Sequence, residues 1–245
     1  ARNVLGDRAV AITAVSESLP PGELEIAAKT ARQIGIKHIT VNTDEVHRSD
    51  YKANATDRCY YCKDTLYREL RRQARHLGLG TILDGTHMDD FQDVRPGLLA
   101  AREAGVRSPL AEAGFSKEDV RETARLLKLE VWDKPAMACL SSRIPHGSEI
   151  TVEKLSQVGE AESIVKRLTG ARDIRVRHRG SVAAIEMAPG ELPLASRGDV
   201  MIRLKQELNR IGFTRVVLGP RKRSTARTIS PDQSYILPMI PGSNL

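Results

Sequence analysis

The chain has 245 residues, 40% of them apolar, enough for one large domain or two modest ones with a real core. No apolar run approaches the roughly 18 residues of a membrane span, no signal peptide opens the chain, and three cysteines are too few for a secreted disulfide scaffold, so a reducing cytoplasm is expected. The net charge of +7 is weighted toward Arg172, Arg175, Arg177, Arg179, Arg221, Lys222 and Arg223; it favours anionic partners, or is simply a solvated basic face.

Residues 9–15 form a short apolar, β-branched run that predicts a buried strand. Pro20, Pro21 and Gly22 break the chain before a helix with Leu24, Ala27, Ala28, Ala31 and Ile34 on one face, stopped at Gly35. Residues 38–42 predict the next strand, and a polar stretch over 43–58 leads into Cys59. A helix follows over 63–77, with Leu66, Leu70 and Ala74 on one face. Residues 81–83 predict a third strand, with Asp84, Gly85 and Thr86 at its C-terminal end. Ser116 and Asp119 form a capping-box pattern before another helix.

Alternating strands and helices up to about Trp132 predict an α/β fold: a parallel sheet with crossover helices, whose ligands bind beyond the C-terminal ends of the strands. After Gly147 the pattern changes. Thr151 caps a helix to about Leu168, residues 174–177 and 182–186 pair through a turn at 179–181, and a helix over 204–210 precedes a strand over 214–218. This is a small α+β domain, and residues 229–245 read as an irregular tail.

Cys59 and Cys62 form a C-x-x-C pair that directs both sulfurs to one point. Three readings stand: a redox disulfide without the usual preceding strand, half a zinc site without its second half, or two ligands of an iron–sulfur cluster with Cys139 as the third. Three thiolates would leave one iron of a [4Fe–4S] cluster open for chemistry. Cys139 stands in a loop of small, polar and basic residues at the domain boundary, where binding clefts are common. Asp84 and its neighbours are either a polar loop or carboxylates for Mg²⁺ on phosphates. Arg175 and Arg177 share one strand face and make either a phosphate clamp or an exposed basic surface.

Taken together, residues 83–90 (LDGTHMDD), 93–98 (DVRPGL), 103–110 (EAGVRSPL) and 139–145 (CLSSRIP) resemble the LarE family, over roughly residues 4–218. Its members are ATP-dependent pyridinium-3,5-biscarboxylic acid mononucleotide sulfurtransferases that help to make the nickel-pincer nucleotide cofactor. The resemblance implies a PP-loop ATPase domain with helices on both sheet faces over 1–143, a substrate-binding α+β domain over 144–228, and a homo-oligomer. ATP with Mg²⁺ adenylylates a substrate carboxylate, and sulfur then displaces AMP. By position, Arg175 and Arg177 correspond to arginines that hold the substrate phosphate, Ser142 to a substrate-site serine, and Glu162 and Glu186 to carboxylates near the sulfur site. Asp84, Gly85, Thr86, Lys63 and Arg143 are expected on the nucleotide side.

The family's ATP signature, S-G-G-x-D-S, is absent, and the chain does not begin with Met; an N-terminally truncated chain that binds ATP weakly by itself is expected. Some members donate sulfur from a sacrificial cysteine, whose place Ala138 holds here. Cys59, Cys62 and Cys139 instead follow the members that hold a [4Fe–4S] cluster, so cluster-delivered sulfur is expected. The alternatives are a PP-loop enzyme that thiolates tRNA, although nucleic acid is not the expected partner, and a non-catalytic nucleotide-binding remnant.

Overall fold

The computed structural model describes residues 1–92 and 95–221. Asp93, Val94, Lys222, Arg223, residues 224–228 and the tail expected over 229–245 lie outside the described residues. A short helix α1 (Arg2–Leu5) precedes β1 (Val10–Val15), α2 (Glu23–Ile34) and β2 (Lys37–Asn42). The two strands pair in parallel, from Val10↔Lys37 to Val15↔Asn42, with α2 as the crossover. Gly22 and Gly35 bound α2 in the left-handed conformation, at φ 85° and 71°.

After β2 come α3 (Ser49–Lys52) and α4 (Arg58–His76). The predicted helix thus begins at Arg58 rather than Lys63, and both C-x-x-C cysteines lie on it. The strand expected over 81–83 is reduced to one parallel bridge, Leu83↔Arg107. The backbone hydrogen bonds of Asp84 N to Arg107 O and Arg107 N to Ile82 O, both 3.0 Å, end there because the chain turns into the Asp84 loop. The helices α5 (Pro96–Glu103), α6 (Pro109–Glu112) and α7 (Lys117–Leu126) follow. Tyr67, Ala100 and Ala101 join α4 to α5 in a small core. The capping box of α7 is present, with Ser116 Oγ accepting from Asp119 N.

Helix α8 (Val152–Thr169) starts at Thr151, whose hydroxyl accepts from Lys154 N at 3.3 Å. Then come β3 (Ile174–Arg179), β4 (Val182–Met187), α9 (Leu192–Ser196), α10 (Gly198–Arg210) and β5 (Arg215–Pro220). The predicted hairpin is antiparallel, and β5 adds in parallel on the other side of β4, giving the order β3-β4-β5. The chain is therefore mixed α/β, with a parallel pair and a separate small sheet.

Helix α8 is shared by two cores. Leu155 and Val158, in its first half, pack with Val46, Tyr51, Leu140, Ile144 and Ile150. Ala161, Ile164 and Val165, further along, pack with Ile174, Val176, Ile185, Leu204, Leu208 and Phe213. Burial of each large apolar side chain contributes about 1.5–3 kcal/mol, so the helix is fixed from both ends. Among the described residues no helix is long and apolar enough to cross a membrane.

Candidate functional site

Cys59 and Cys62 occupy the first two turns of α4, where a spacing of three puts them on neighbouring positions of one face. Cys59 is exposed, whereas Cys62 is partly buried and packs on the apolar cluster of Val46, Tyr51 and Leu140. Burial pushes the Cys62 thiol up to about 12, with further contributions from the charges of Glu45, Cys139 and Cys59. Burial likewise raises the Tyr51 hydroxyl, helped by Cys139, Cys62 and Glu45. Cys59 and Cys139 thus both lie within electrostatic reach of Cys62, and Cys62 and Cys139 within reach of Tyr51. Among the described residues, no three His, Cys, Asp or Glu side chains converge closely enough to hold a single metal ion.

Cys139 immediately precedes a 3₁₀ turn, Leu140–Arg143. Leu140 N donates to Ser18 O at 2.8 Å, tying this loop to the one that follows β1. Ser141 shares a 2.5 Å hydrogen bond with Tyr51 Oη. Gly159 allows α8 to approach: a Cβ there would meet Leu140 Cδ1 at 3.2 Å and Pro21 at 3.5 Å. Arg143, expected toward the nucleotide, turns inward and is fully buried. It donates to Ala138 O (2.7 Å), Cys139 O (3.1 Å), Ser142 Oγ (2.9 Å) and both oxygens of Glu162. Glu162 is equally engaged, since it also accepts from Val176 N at 3.0 Å. The fully used donors and acceptors make this pair a clamp on the Cys139 loop.

Arg175 and Arg177 do share a face of β3, and Arg175 stands opposite Glu186 on β4. Arg177 donates to Glu186 Oε2 at 3.0 Å and to Ser142 O at 2.7 Å. The hydroxyl of Ser142 donates to Cys139 O at 2.8 Å. The Arg175 side chain makes no hydrogen bond or ion pair among the described residues. Its pKa is lowered by burial and by the charges of Arg143 and Arg177. A half-buried cation in that setting is suited to an anion.

Asp84 gathers a third group. Its carboxylate accepts from Ser108 Oγ (2.7 Å), Thr86 Oγ1 (2.9 Å), Thr86 N (3.1 Å) and Tyr67 Oη (3.4 Å). The Lys63 ammonium lies 5.5 Å from the Tyr67 ring centroid. The space beside Gly85 is open, with nothing within 4 Å of a Cβ built there. Burial, then the charge and hydrogen bond of Asp84 and the charge of Cys62, raise the Tyr67 hydroxyl.

Several residues of the site carry no local signal in the sequence. Glu45, 3% exposed, lies just beyond β2; its Oε1 accepts from Ser16 Oγ (2.6 Å) and Ser18 Oγ (3.0 Å), and Oε2 is buried with no partner among the described residues. Tyr51, Asn54 and Arg58 are also buried. They belong to the polar stretch just before the first cysteine, where no local pattern marks them as buried. Arg221, legible only as part of a basic run, is lowered by burial and by Arg143, and pairs with Asp173.

No protein-family model matches the chain. It is 48% identical over 218 residues, 89% of this chain and 81% of the relative, to an uncharacterised protein of Synechocystis. A match of 31% identity over 155 residues, 63% of this chain and 60% of the relative, is to an uncharacterised protein of Methanocaldococcus jannaschii. The chain is 37% identical over 222 residues, 89% of its length and 78% of the relative, to the pyridinium-3,5-bisthiocarboxylic acid mononucleotide synthase of Lactiplantibacillus plantarum. With that identity sustained over most of both chains, the protein belongs to the LarE family.

Proposed function

We propose that this chain is an ATP-dependent sulfurtransferase that converts a carboxylate of a pyridinium-3,5-biscarboxylic acid mononucleotide into a thiocarboxylate, in the biosynthesis of the nickel-pincer nucleotide cofactor. The observation that carries the reading is the short loop from Cys139 to Arg143. One end bears a thiol beside Cys62 and Tyr51, and the other is held by Arg143 and Arg177, next to the unpaired Arg175. Groups suited to sulfur and groups suited to phosphate therefore meet across five residues. The L. plantarum relative, named for a bisthiocarboxylic mononucleotide, supports the same substrate class.

A free carboxylate is a poor electrophile. In the proposed reaction its oxygen attacks the α-phosphorus of ATP, and pyrophosphate leaves. Sulfide sulfur then attacks the acyl carbon, and AMP departs with the electron pair of the C–O bond. Arg175 and Arg177 hold the substrate phosphate, Glu186 orients Arg177, and Ser142 borders the substrate. Asp84, with Gly85, Thr86 and Lys63, serves MgATP. Arg143 and Glu162 fix the Cys139 loop from behind and do not touch the nucleotide.

The donor chemistry suits an iron–sulfur cluster. Cys59 and Cys139 are thiols within electrostatic reach of Cys62, which itself packs against an apolar wall. In a cluster each binds a different iron, so they need not converge as the ligands of one ion do. Bound there, a [4Fe–4S] group with one iron free of protein thiolate supplies the transferable sulfide. In this reading residues 1–143 form the ATPase part and 144–228 the substrate part of a cytoplasmic homo-oligomer.

The test is anaerobic reconstitution with iron and sulfide, followed by MgATP and the mononucleotide. Mass spectrometry is expected to find oxygen replaced by sulfur in the mononucleotide, with one AMP per sulfur. Sulfuration of a tRNA base, with the mononucleotide left unchanged, would overturn the proposal.

A further inference from the structure

Arg58 opens α4, immediately before Cys59, and is 5% exposed. Its Nη1 donates to Asn54 Oδ1 at 2.6 Å and to Ser141 O at 3.1 Å. Its Nη2 lies 3.9 Å from Cys59 Sγ, within hydrogen-bond reach of a sulfur. Among the described residues no carboxylate forms an ion pair with it. This distinguishes it from Arg48, which pairs with Asp50 and Asp64, and from Arg143, which pairs with Glu162. A buried guanidinium without a counter-charge is costly to keep. At its other edge stands the Cys59 thiol.

The contacts also reach across the site. Asn54, itself fully buried and in the left-handed conformation at φ 53°, donates through Nδ2 to Pro145 O and Ser148 O, each at 2.8 Å. Arg58 and Asn54 together hold Ser141, Pro145 and Ser148. The guanidinium that touches the first cysteine thus also fixes the segment that carries the third. One rigid, planar group sets the spacing between the two cysteine-bearing segments and adds positive charge on one side of the space between them.

We propose that Arg58 is a positioning residue of the three-cysteine site: it holds the Cys59 sulfur and the Cys139 loop in register, and its charge and N–H donor prepare the site for an anionic iron–sulfur group. The inference rests on the cluster reading given above. Hydrogen bonds to cluster sulfurs and nearby charge help to set reduction potential. A cation at Cys59 favours the more negative, reduced state, so Arg58 raises the midpoint potential of whatever cluster is bound.

The experiment reconstitutes the full chain and its Arg58→Gln and Arg58→Lys variants anaerobically. Iron and acid-labile sulfide are counted, and the midpoint is read by EPR-monitored titration. Arg58→Gln is expected to retain a cluster with a more negative midpoint, and Arg58→Lys, which keeps the charge, to lie nearer the parent. A purely architectural role would change cluster content without moving the potential. Arg58→Gln with parental iron content and a parental midpoint overturns the proposal. Where that variant holds too little iron to titrate, Arg58→Lys decides: a midpoint near the parent's supports the proposal, and a folded form that takes up no iron, or has a clearly lower midpoint, overturns it. Failure of the parent chain itself to take up iron instead overturns the cluster reading, and is recognised without any variant.

Discussion

Arg143 and Glu162 form a buried ion pair, Nε to Oε1 at 2.8 Å and Nη2 to Oε2 at 3.2 Å, with side-chain exposures of 0% and 2%. The pair links three segments distant in sequence. Glu162 belongs to α8 and accepts from Val176 N of β3, and Arg143 grips the carbonyls of Ala138 and Cys139. The Cys139 loop therefore takes its position from the interior.

Loss of one partner leaves the other charge buried and alone, which costs about 3–5 kcal/mol. Glu162→Ala is expected to lower the urea midpoint of the metal-free chain accordingly. The double variant Arg143→Met/Glu162→Leu should recover much of that loss, while alkylation of Cys139 speeds up because its loop has lost the donors of Arg143. A double variant as unstable as the single one would show that the pair is not coupled.

The thiols should also differ among themselves. In metal-free protein at neutral pH, Cys59 is exposed, whereas burial and neighbouring negative charge keep the Cys62 thiol protonated. Iodoacetamide is expected to modify Cys59 well before Cys62, as read by peptide mass spectrometry. Glu45→Gln removes the largest single charge that raises the Cys62 thiol, so Cys62 should then react faster, with Cys59 little changed. Equal rates at the two cysteines would contradict this.

Local patterns made much of the fold legible: the Ser116 capping box, the Thr151 cap, and the alternation that puts Arg175 and Arg177 on one face all recur in the structure. The strand expected over 81–83 shrank because only Leu83 finds a bridge partner, which no local pattern reveals. Arg143 was legible as a basic residue in a polar loop, but not as a buried one. Its partner stands 19 positions away, on a helix whose facing side is decided by packing. Arg58 and Tyr51 were missed for the same reason: their partners in the Cys139 loop are 83 and 90 positions distant.

His178 gives a pH dependence of stability. Its Nε2 lies 2.9 Å from Gln157 Oε1 and its ring packs against Phe213; burial, then the Lys154 charge, lowers its pKa from 6.5. Because the folded value is below the unfolded one, the unfolded chain binds more protons as pH falls. The contribution is present above about pH 6.5 and is lost as pH falls through the folded pKa. His178→Gln should flatten the dependence of Tm on pH over roughly pH 7 to 5. An unchanged slope would assign the acid sensitivity elsewhere.

Arg175 and Arg177 should separate binding from stability. Arg175 is half-buried, repelled by Arg143 and Arg177 with only smaller attraction from Glu186 and Glu162, and its side chain is without a hydrogen bond among the described residues. In the free chain its charge is a burden, discounted by solvent because the group is only half-buried. Arg175→Met is therefore expected to stabilise the metal-free protein by up to about 1 kcal/mol. The same change should weaken inorganic phosphate at least tenfold, about 1.4 kcal/mol, if this face takes the substrate phosphate. Arg177 differs, because it also holds Glu186 and Ser142 O. Arg177→Met should lose phosphate affinity and stability together, since it leaves a carboxylate and a carbonyl unpaired. Calorimetric titration with phosphate and urea denaturation measure the two quantities side by side. Opposite signs for Arg175 and like signs for Arg177 are the expected pattern. A loss of stability in Arg175→Met would mean that the guanidinium already has a partner, and would remove the main argument for an anion site on this strand.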